Sequence, residues 1–381
     1  AHYGRVKRDL PWRRTRDPYA IWVSEIMLQQ TRVATVIPYW EKWMAAFPTV
    51  RALATAPLDD VLAAWAGLGY YSRARNLHRG AQSIGESLPR TAAELRDVPG
   101  IGPYTAGAIA SIAYGERAPL VDGNVARVLG RVFAIEHDIK STAGQKALWS
   151  RAGELMTALP AAAAPGDLNQ GLMELGATVC TPTQPRCLAC PLATLCTANA
   201  TGRQDALPVI PARKKAADLP VLARMLVWLQ HGDEIVLVRR APQGLFGGLW
   251  ELPTDDVAEE LDAAIDRSPV AYHDQTLSHR RLRVTVIRGA MPPRLVRPTD
   301  PGYDAITRVR IADAGQLGIA AATAAILTQY QDTPWSSIPR PSPSSKRVTT
   351  RSSKASPSSG STSRTRTSRT RRSGRPRAST S

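Results

Sequence analysis

Four cysteines, Cys180, Cys187, Cys190 and Cys196, stand within seventeen residues, and the rest of the 381-residue chain contains none. A disulfide framework would join distant segments. Four thiolates this close together can instead surround one metal centre. The spacing is Cys-x6-Cys-x2-Cys-x5-Cys, with Pro191 directly after the third cysteine. Zinc and a [4Fe–4S] cluster both accept a four-cysteine donor set. Structural zinc sites usually pair two short Cys-x2–4-Cys elements. One short gap flanked by two longer ones favours the iron–sulfur cluster.

The rest of the chain divides around this run. Up to about residue 200 apolar residues recur at helical spacing, as in Ile21, Trp22, Ile26, Leu28 and again Val61, Leu62, Trp65, Leu68. Residues 201–218 are polar and contain prolines, which reads as a linker. The period then changes to two. Pro220–Gln230 and Glu234–Arg240 read as strands joined through His231-Gly232-Asp233, Leu282–Arg288 alternates, and Ile311–Tyr330 returns to a helical pattern. The expected architecture is an all-α domain with the cysteine loop (1–200), a linker (201–218), a smaller α+β domain (219–335) and a tail (336–381).

The formal net charge is +17, but the tail carries twelve of the Lys and Arg residues and no acid. Half of it is Ser or Thr, so disorder is expected there, with a dispensable extension favoured slightly over a nonspecific electrostatic arm for nucleic acid. The preceding 335 residues hold 37 bases against 32 acids and are only mildly basic. No apolar run approaches the roughly 18 residues needed to span a bilayer, and no basic-then-apolar leader is present, so a cytoplasmic protein without a membrane partner is expected. The chain opens at Ala1 without an initiator Met, as a segment of a longer protein would.

Chemistry concentrates in three places. Thr91–Gly115 reads as two helices around the turn Pro99-Gly100-Ile101-Gly102, the first running from Thr91 to Val98 and the second opening with Pro103. Gly100 and Gly102 leave backbone N–H groups uncovered beside a helix start, which suits a DNA phosphate. Asp122 ends the run Ala118–Val121 just before another helix; it can cap that helix and face a cleft, and the helix N-terminus favours its ionised form. Glu25 has Ile21, Trp22 and Leu28 as helical neighbours, so its carboxyl is expected to be desolvated and proton-bearing. One acid that can donate a proton, together with one that can stabilise a cation, is the pair needed to cleave a glycosidic bond.

The segments WVSEIMLQQT (22–31), GLGYYSRARNL (67–77), VPGIGPYTAGAIAS (98–111), VDGNVARVLGR (121–131) and LNQGLMELGATVC (168–180), with the cysteine run, closely resemble the MutY family of adenine DNA glycosylases. That family belongs to the endonuclease III-like helix–hairpin–helix superfamily. The resemblance implies a monofunctional base-excision repair enzyme with one [4Fe–4S] cluster. It would act as a monomer on double-stranded DNA carrying A·8-oxoguanine or A·G mispairs. Glu25 would protonate N7 of the extruded adenine and later activate water. Asp122 would stabilise the oxocarbenium ion, by charge or through a covalent adduct, and Tyr104 and Asn124 would support the two acids. Gln30 and Tyr70 match residues that wedge into the base stack, with Thr31 and Leu68 near the opposing lesion. Bifunctional relatives carry lysine where Tyr104 stands, so base excision without efficient strand cleavage is expected.

Residues 219–331 resemble the family's Nudix-like domain more weakly. Leu277-Ser278-His279 is similar to its Phe-Ser-His lesion-reading loop, with Leu replacing the aromatic residue. Gly247–Pro253 resembles the start of a Nudix box, but Thr254 stands at the first Glu position and the acidic helix that should follow is expected to be missing. Two other readings compete: a mismatch thymine–DNA glycosylase of the same superfamily, and a non-catalytic iron–sulfur DNA-binding protein. Glu25 together with Asp122 argues against the second.

Overall fold

A computed structural model describes residues 2–211, 216–277 and 279–330. The first lobe is built from helices: α1 (His2–Val6), α2 (Pro18–Leu28), α3 (Val33–Ala46), α4 (Val50–Thr55), α5 (Leu58–Ala64) and α6 (Ser72–Ile84). They are followed by α7 (Ala92–Leu95), α8 (Pro103–Ala113), α9 (Gly123–Val132), α10 (Thr142–Thr157), α11 (Pro165–Thr178) and α12 (Thr197–Ala200). None of the described helices is long and apolar enough to cross a membrane.

Helix α2 is the centre of this lobe. Asp17 caps it by accepting from the Tyr19 amide, Pro18 sits in its first turn, and every residue from Tyr19 to Met27 is buried. A helix apolar on all faces must be enclosed by others. Here α3 and α6 bring Trp43, Leu77 and Ala81 against it, and Trp43 packs edge-on against Trp65 with ring centroids 5.4 Å apart. A second core, with Leu120, Val128, Leu129, Leu148 and Leu175, lies among α8 to α11, and Cys180 and Cys190 pack onto its edge.

The two-helix turn forms as expected, but its first helix is shorter. Thr91 and Glu94 make a reciprocal capping box, and α7 ends at Leu95 rather than at Val98. The amides of Arg96, Asp97 and Val98 bond carbonyls three residues back, tightening the last turn. Pro99 explains the stop, since it disfavours helical geometry at the residue before it. Gly100 has φ +86°, and a Cβ there would lie 2.6 Å from the Asn76 side chain, so glycine is required. Helix α8 passes close to the strand-like segment leading to Asp122; a Cβ on Gly107 would sit 2.1 Å from the Pro119 carbonyl. That close approach brings Tyr104 and Asp122 to the same side of the lobe.

The linker is less free than its composition suggests. Leu207 is buried, its carbonyl accepts from Arg131, and the Val209 carbonyl accepts from the Ile139 amide. Residues 203–209 are thus docked on α9 and the loop after it.

The second lobe is a mixed six-stranded sheet of order β3-β2-β1-β5-β4, with β6 also paired to β2. Its strands are β1 (Val221–His231), β2 (Glu234–Arg240), β3 (Trp250–Glu251), β4 (Ile265–Thr276), β5 (Arg281–Ala290) and β6 (Tyr303–Arg310). The β1–β2 hairpin turns at Gly232-Asp233, and β1 runs parallel to β5 over Val221–Gln230. Helices α13 (Asp255–Glu260) and α14 (Ala321–Tyr330) complete it. The helical pattern from Ile311 to Tyr330 is broken: Ile311–Gln316 forms a 3-10 turn, and Gly318 and Ala320 bond the backbone of Trp250 before α14 begins. The 336–381 tail lies outside the described residues.

Candidate active site and cysteine centre

Glu25, Tyr104, Asp122 and Asn124 line one cavity of about 680 Å³, together with Arg13, Gln30, Thr31 and Glu174. Glu25 is 5% exposed. Burial pushes its carboxyl up to about 7; the Asp122 carboxylate adds to the shift, while the Tyr104 hydroxyl and Arg13 oppose it. Tyr104, in the first turn of α8, donates its hydroxyl hydrogen to Glu25 Oε2. Burial and the two neighbouring carboxylates hold the Tyr104 phenol far above its usual range, so it stays a donor.

Asp122 is the N-cap of α9, accepting from the Val125 amide at 2.7 Å, and its other oxygen accepts from Asn124 Nδ2 at 2.8 Å. Both bonds, with Arg127, lower its pKa, but burial outweighs them and the net direction is upward. The helix terminus therefore does not alone decide its charge. The two acids differ by environment: Glu25 has apolar walls and one phenol, whereas Asp122 has two N–H donors and a helix start.

Asn124 continues the chain of contacts. Its Oδ1 accepts from Arg127 Nη2 at 2.9 Å, and Arg127 Nε donates to the Cys180 carbonyl at 2.6 Å. Arg131, which is buried, donates to Cys180 Sγ at 3.3 Å and to the Thr181 carbonyl at 2.7 Å. The acid at the cavity and the cysteine loop are thus linked by one hydrogen-bonded path. All four cysteines line a single small cavity. Burial raises the Cys187 and Cys190 thiols, and the neighbouring thiols add to it. Among the described residues no three Cys, His, Asp or Glu side chains are gathered tightly enough to hold a single metal ion.

Gln30 and Tyr70 are exposed and both adopt left-handed backbone geometry, with φ 59° and 49°. Thr31 lies at the cavity. Leu68 does not join them: it is 6% exposed and packs in the first core, because the turn at Gly67–Tyr70 directs it inward. Gly102 caps α8 with open space around it. In the second lobe His279 is exposed, Leu277 packs partly against the sheet core, and Ser278 lies outside the described residues.

The Nudix-like turn differs from expectation. A short acidic helix, α13, does follow it, with Thr254 at its N-cap position. Its acids are engaged elsewhere: Asp255 and Glu259 pair with Arg267. Glu251, 2% exposed, is held by Arg224, Arg240 and the Tyr303 hydroxyl.

The charged residues Arg13, Glu174, Arg73 and Arg127 escaped the sequence reading. Glu174 is 2% exposed and bridges Arg8 and Arg13 at 2.8 Å each, tying the N-terminal segment to α11 at the cavity wall. An acid within an otherwise apolar helical stretch, LMELG, was the available signal.

With this geometry established, comparison with known proteins defines the class first. Residues 23–153 match the HhH-GPD superfamily of base excision DNA repair proteins, and residues 224–329 match the NUDIX domain. The adenine DNA glycosylase of Homo sapiens is 43% identical over 307 residues, covering 66% of this chain and 56% of that protein. That of Schizosaccharomyces pombe is 35% identical over 333 residues, covering 70% of this chain and 71% of that protein. That of Buchnera aphidicola subsp. Schizaphis graminum is 40% identical over 254 residues, covering 66% and 71%. A solved thermostable thymine-DNA glycosylase is 31% identical, covers 52% of this chain and 92% of its own, and superposes with a TM-score of 0.47. The chain spans little more than half the length of the human and rat proteins and about half that of the Arabidopsis thaliana one. It belongs to the adenine DNA glycosylase family.

Glu25 makes stability depend on pH. Its folded pKa lies above the unfolded value, so the folded state binds the extra proton and stability falls as pH rises from about 4.5 to about 7. Glu25→Gln removes this penalty. The variant should be more stable than the parent at pH 8 by on the order of 2–3 kcal/mol, with the gain vanishing near pH 4.5. Thermal unfolding of both proteins across that range measures it; a gain independent of pH would contradict the raised pKa.

Proposed function

We propose that this chain is a monofunctional adenine DNA glycosylase that removes adenine mispaired with 8-oxoguanine or guanine and leaves an abasic site. The observation that carries this reading is the buried, proton-bearing Glu25 in the same cavity as the hydrogen-bonded Asp122. In the bond-breaking step the Glu25 proton passes to N7 of the extruded adenine. The C1′–N9 bond then breaks with its electron pair going to the base, leaving positive charge on the sugar. Asp122 stabilises that charge. Glu25, now a carboxylate, takes a proton from water as the oxygen bonds to C1′, which restores the acid. Tyr104 and Asn124 hold the two carboxyls, and the absence of a lysine at position 104 leaves no amine to form a Schiff base and cut the strand.

The remaining assignments support the same reading. Gln30 and Tyr70 occupy the gap left by the base, with Thr31 beside them. The turn at Gly100–Gly102 receives a phosphate, and the Leu277–His279 loop reads the lesion. Cys180, Cys187, Cys190 and Cys196 suit one [4Fe–4S] cluster: four thiols line one cavity, and their spacing has one short gap flanked by two longer ones. Such a cluster would fix the 180–196 loop and, through Arg127 and Arg131, hold α9 against it. The protein would act on DNA in the cytoplasm or nucleoid.

Single-turnover assays on A·8-oxoguanine, A·G and T·G duplexes test the activity. Excision should be confined to adenine. Glu25→Gln should bind the A·8-oxoguanine duplex normally yet lose about 10²- to 10⁴-fold or more in excision, the usual weight of a proton donor. Near-normal excision by that variant, or preferential release of thymine, would refute the reading. Anaerobically purified protein should contain about four irons per chain. Stoichiometric zinc with negligible iron would overturn the cluster assignment.

A further inference from the structure

We propose that Arg73 is a positioning residue for base extrusion: its buried guanidinium sews the turn carrying Gln30 to the turn carrying Tyr70, so that both side chains are presented to the duplex as one rigid wedge. The proposal rests on the glycosylase reading above.

Arg73 is the second residue of α6 and is 8% exposed. Its Nη1 donates to the carbonyls of Ile26 at 2.9 Å, Met27 at 2.8 Å and Gln29 at 2.6 Å, at the open C-terminal end of α2. Its Nη2 donates to the carbonyls of Leu68 at 3.2 Å and Gly69 at 3.1 Å and to Thr31 Oγ1 at 3.2 Å. The guanidinium carbon also lies 5.1 Å from the centroid of the Trp65 ring and 5.6 Å from that of the Tyr70 ring. Each of its six hydrogen-bond acceptors is a carbonyl or hydroxyl oxygen. The negative end of the α2 dipole and the two ring faces compensate the charge in place of a carboxylate. Burial lowers its pKa to about 10, so it is still charged at neutral pH.

A structural cap would serve one helix end, whereas this side chain spans two separate turns. Each turn holds a non-glycine residue in the left-handed region, Gln30 at φ 59° and Tyr70 at φ 49°. Non-glycine residues avoid that conformation unless their surroundings enforce it. Both strained residues are exposed, and Gln30 borders the cavity holding Glu25 and Asp122. Extruding a base from duplex requires unstacking, and a wedge already ordered before contact lowers that barrier. Lysine cannot replace arginine here, because one ammonium cannot reach two sets of acceptors with a fork.

The test compares the full chain with Arg73→Lys on two duplexes, one with adenine opposite 8-oxoguanine and one with adenine opposite an abasic site, where pairing is already lost. A third duplex carries 2-aminopurine in the adenine position, whose fluorescence reports extrusion. Arg73→Lys should slow excision from the paired duplex about tenfold or more, the scale of a lost charge-assisted hydrogen bond. Excision opposite the abasic site should slow much less, and the fluorescence rise should slow in step with the paired-duplex rate. Equal losses on both duplexes, or no loss, would overturn the proposal. Should Arg73→Lys fail to fold, Arg73→Gln, which keeps one two-hydrogen donor in place of the fork, decides the matter: a loss confined to the paired duplex supports the proposal, and a uniform or absent loss refutes it. A parent protein that excises no adenine would sink the functional reading and this inference with it, whereas a parent that excises adenine beside an unaffected Arg73→Lys would sink this inference alone.

Discussion

The burial of one carboxyl inside an otherwise apolar helix constrains the rest of the molecule. Glu25 sits among Trp22, Ile26 and Met27 on α2, a helix enclosed on all sides. A carboxylate there would be expensive, so the group keeps its proton up to about pH 7. Everything that could relieve the penalty is limited: a single phenol donates to it, and the opposing carboxylate raises its pKa further. The fold thereby holds this acid in the state that the proposed protonation of a leaving base requires. Asp122, less than one helical turn from Val125 and paired with Asn124, receives the donors that Glu25 lacks.

Arginines, two of them (Arg73 and Arg131) buried, organise the backbone around these acids. Arg73 gathers two turns, Arg127 and Arg131 join α9 to the cysteine loop, and Arg8 with Arg13 close the N-terminal segment on Glu174. In most of these contacts the partner is a carbonyl rather than a carboxylate. A planar, permanently charged fork can satisfy several helix-end or loop carbonyls at once, which lysine cannot do. The design lets irregular segments stay in place beside a cavity without a large local core.

Much of this was legible in the sequence. Glu25 is readable because an acid flanked by Ile21, Trp22 and Leu28 leaves no polar face for it to occupy. Asp122 and the Gly100–Gly102 turn are readable from capping and turn chemistry. Strand β4 was not readable: it contains Pro269 and several charges, and only Ala271 is buried, as suits an edge strand that breaks register between Asp266 and Ala271. Helix α13 was obscured by the expected Nudix pattern, and the stop between Ile311–Gln316 and α14 by apolar spacing that continues across an extended segment. Leu68 illustrates a different limit. Its motif matched, but backbone direction in a glycine-rich turn decides which face a side chain takes, and the spacing does not encode it. The same holds for Arg73, whose six partners come from the turn just before it and from another turn 42 to 47 residues away.

The pH dependence of the chemical step tests the central claim most directly. With enzyme in excess over an A·8-oxoguanine duplex, the single-turnover excision rate should be highest on the acid side and fall as pH rises through about 7, because only protonated Glu25 can begin bond cleavage. A rate that is flat or rises between pH 6 and 8 would mean that Glu25 is ionised when the bond breaks, and the desolvated-acid account would be wrong.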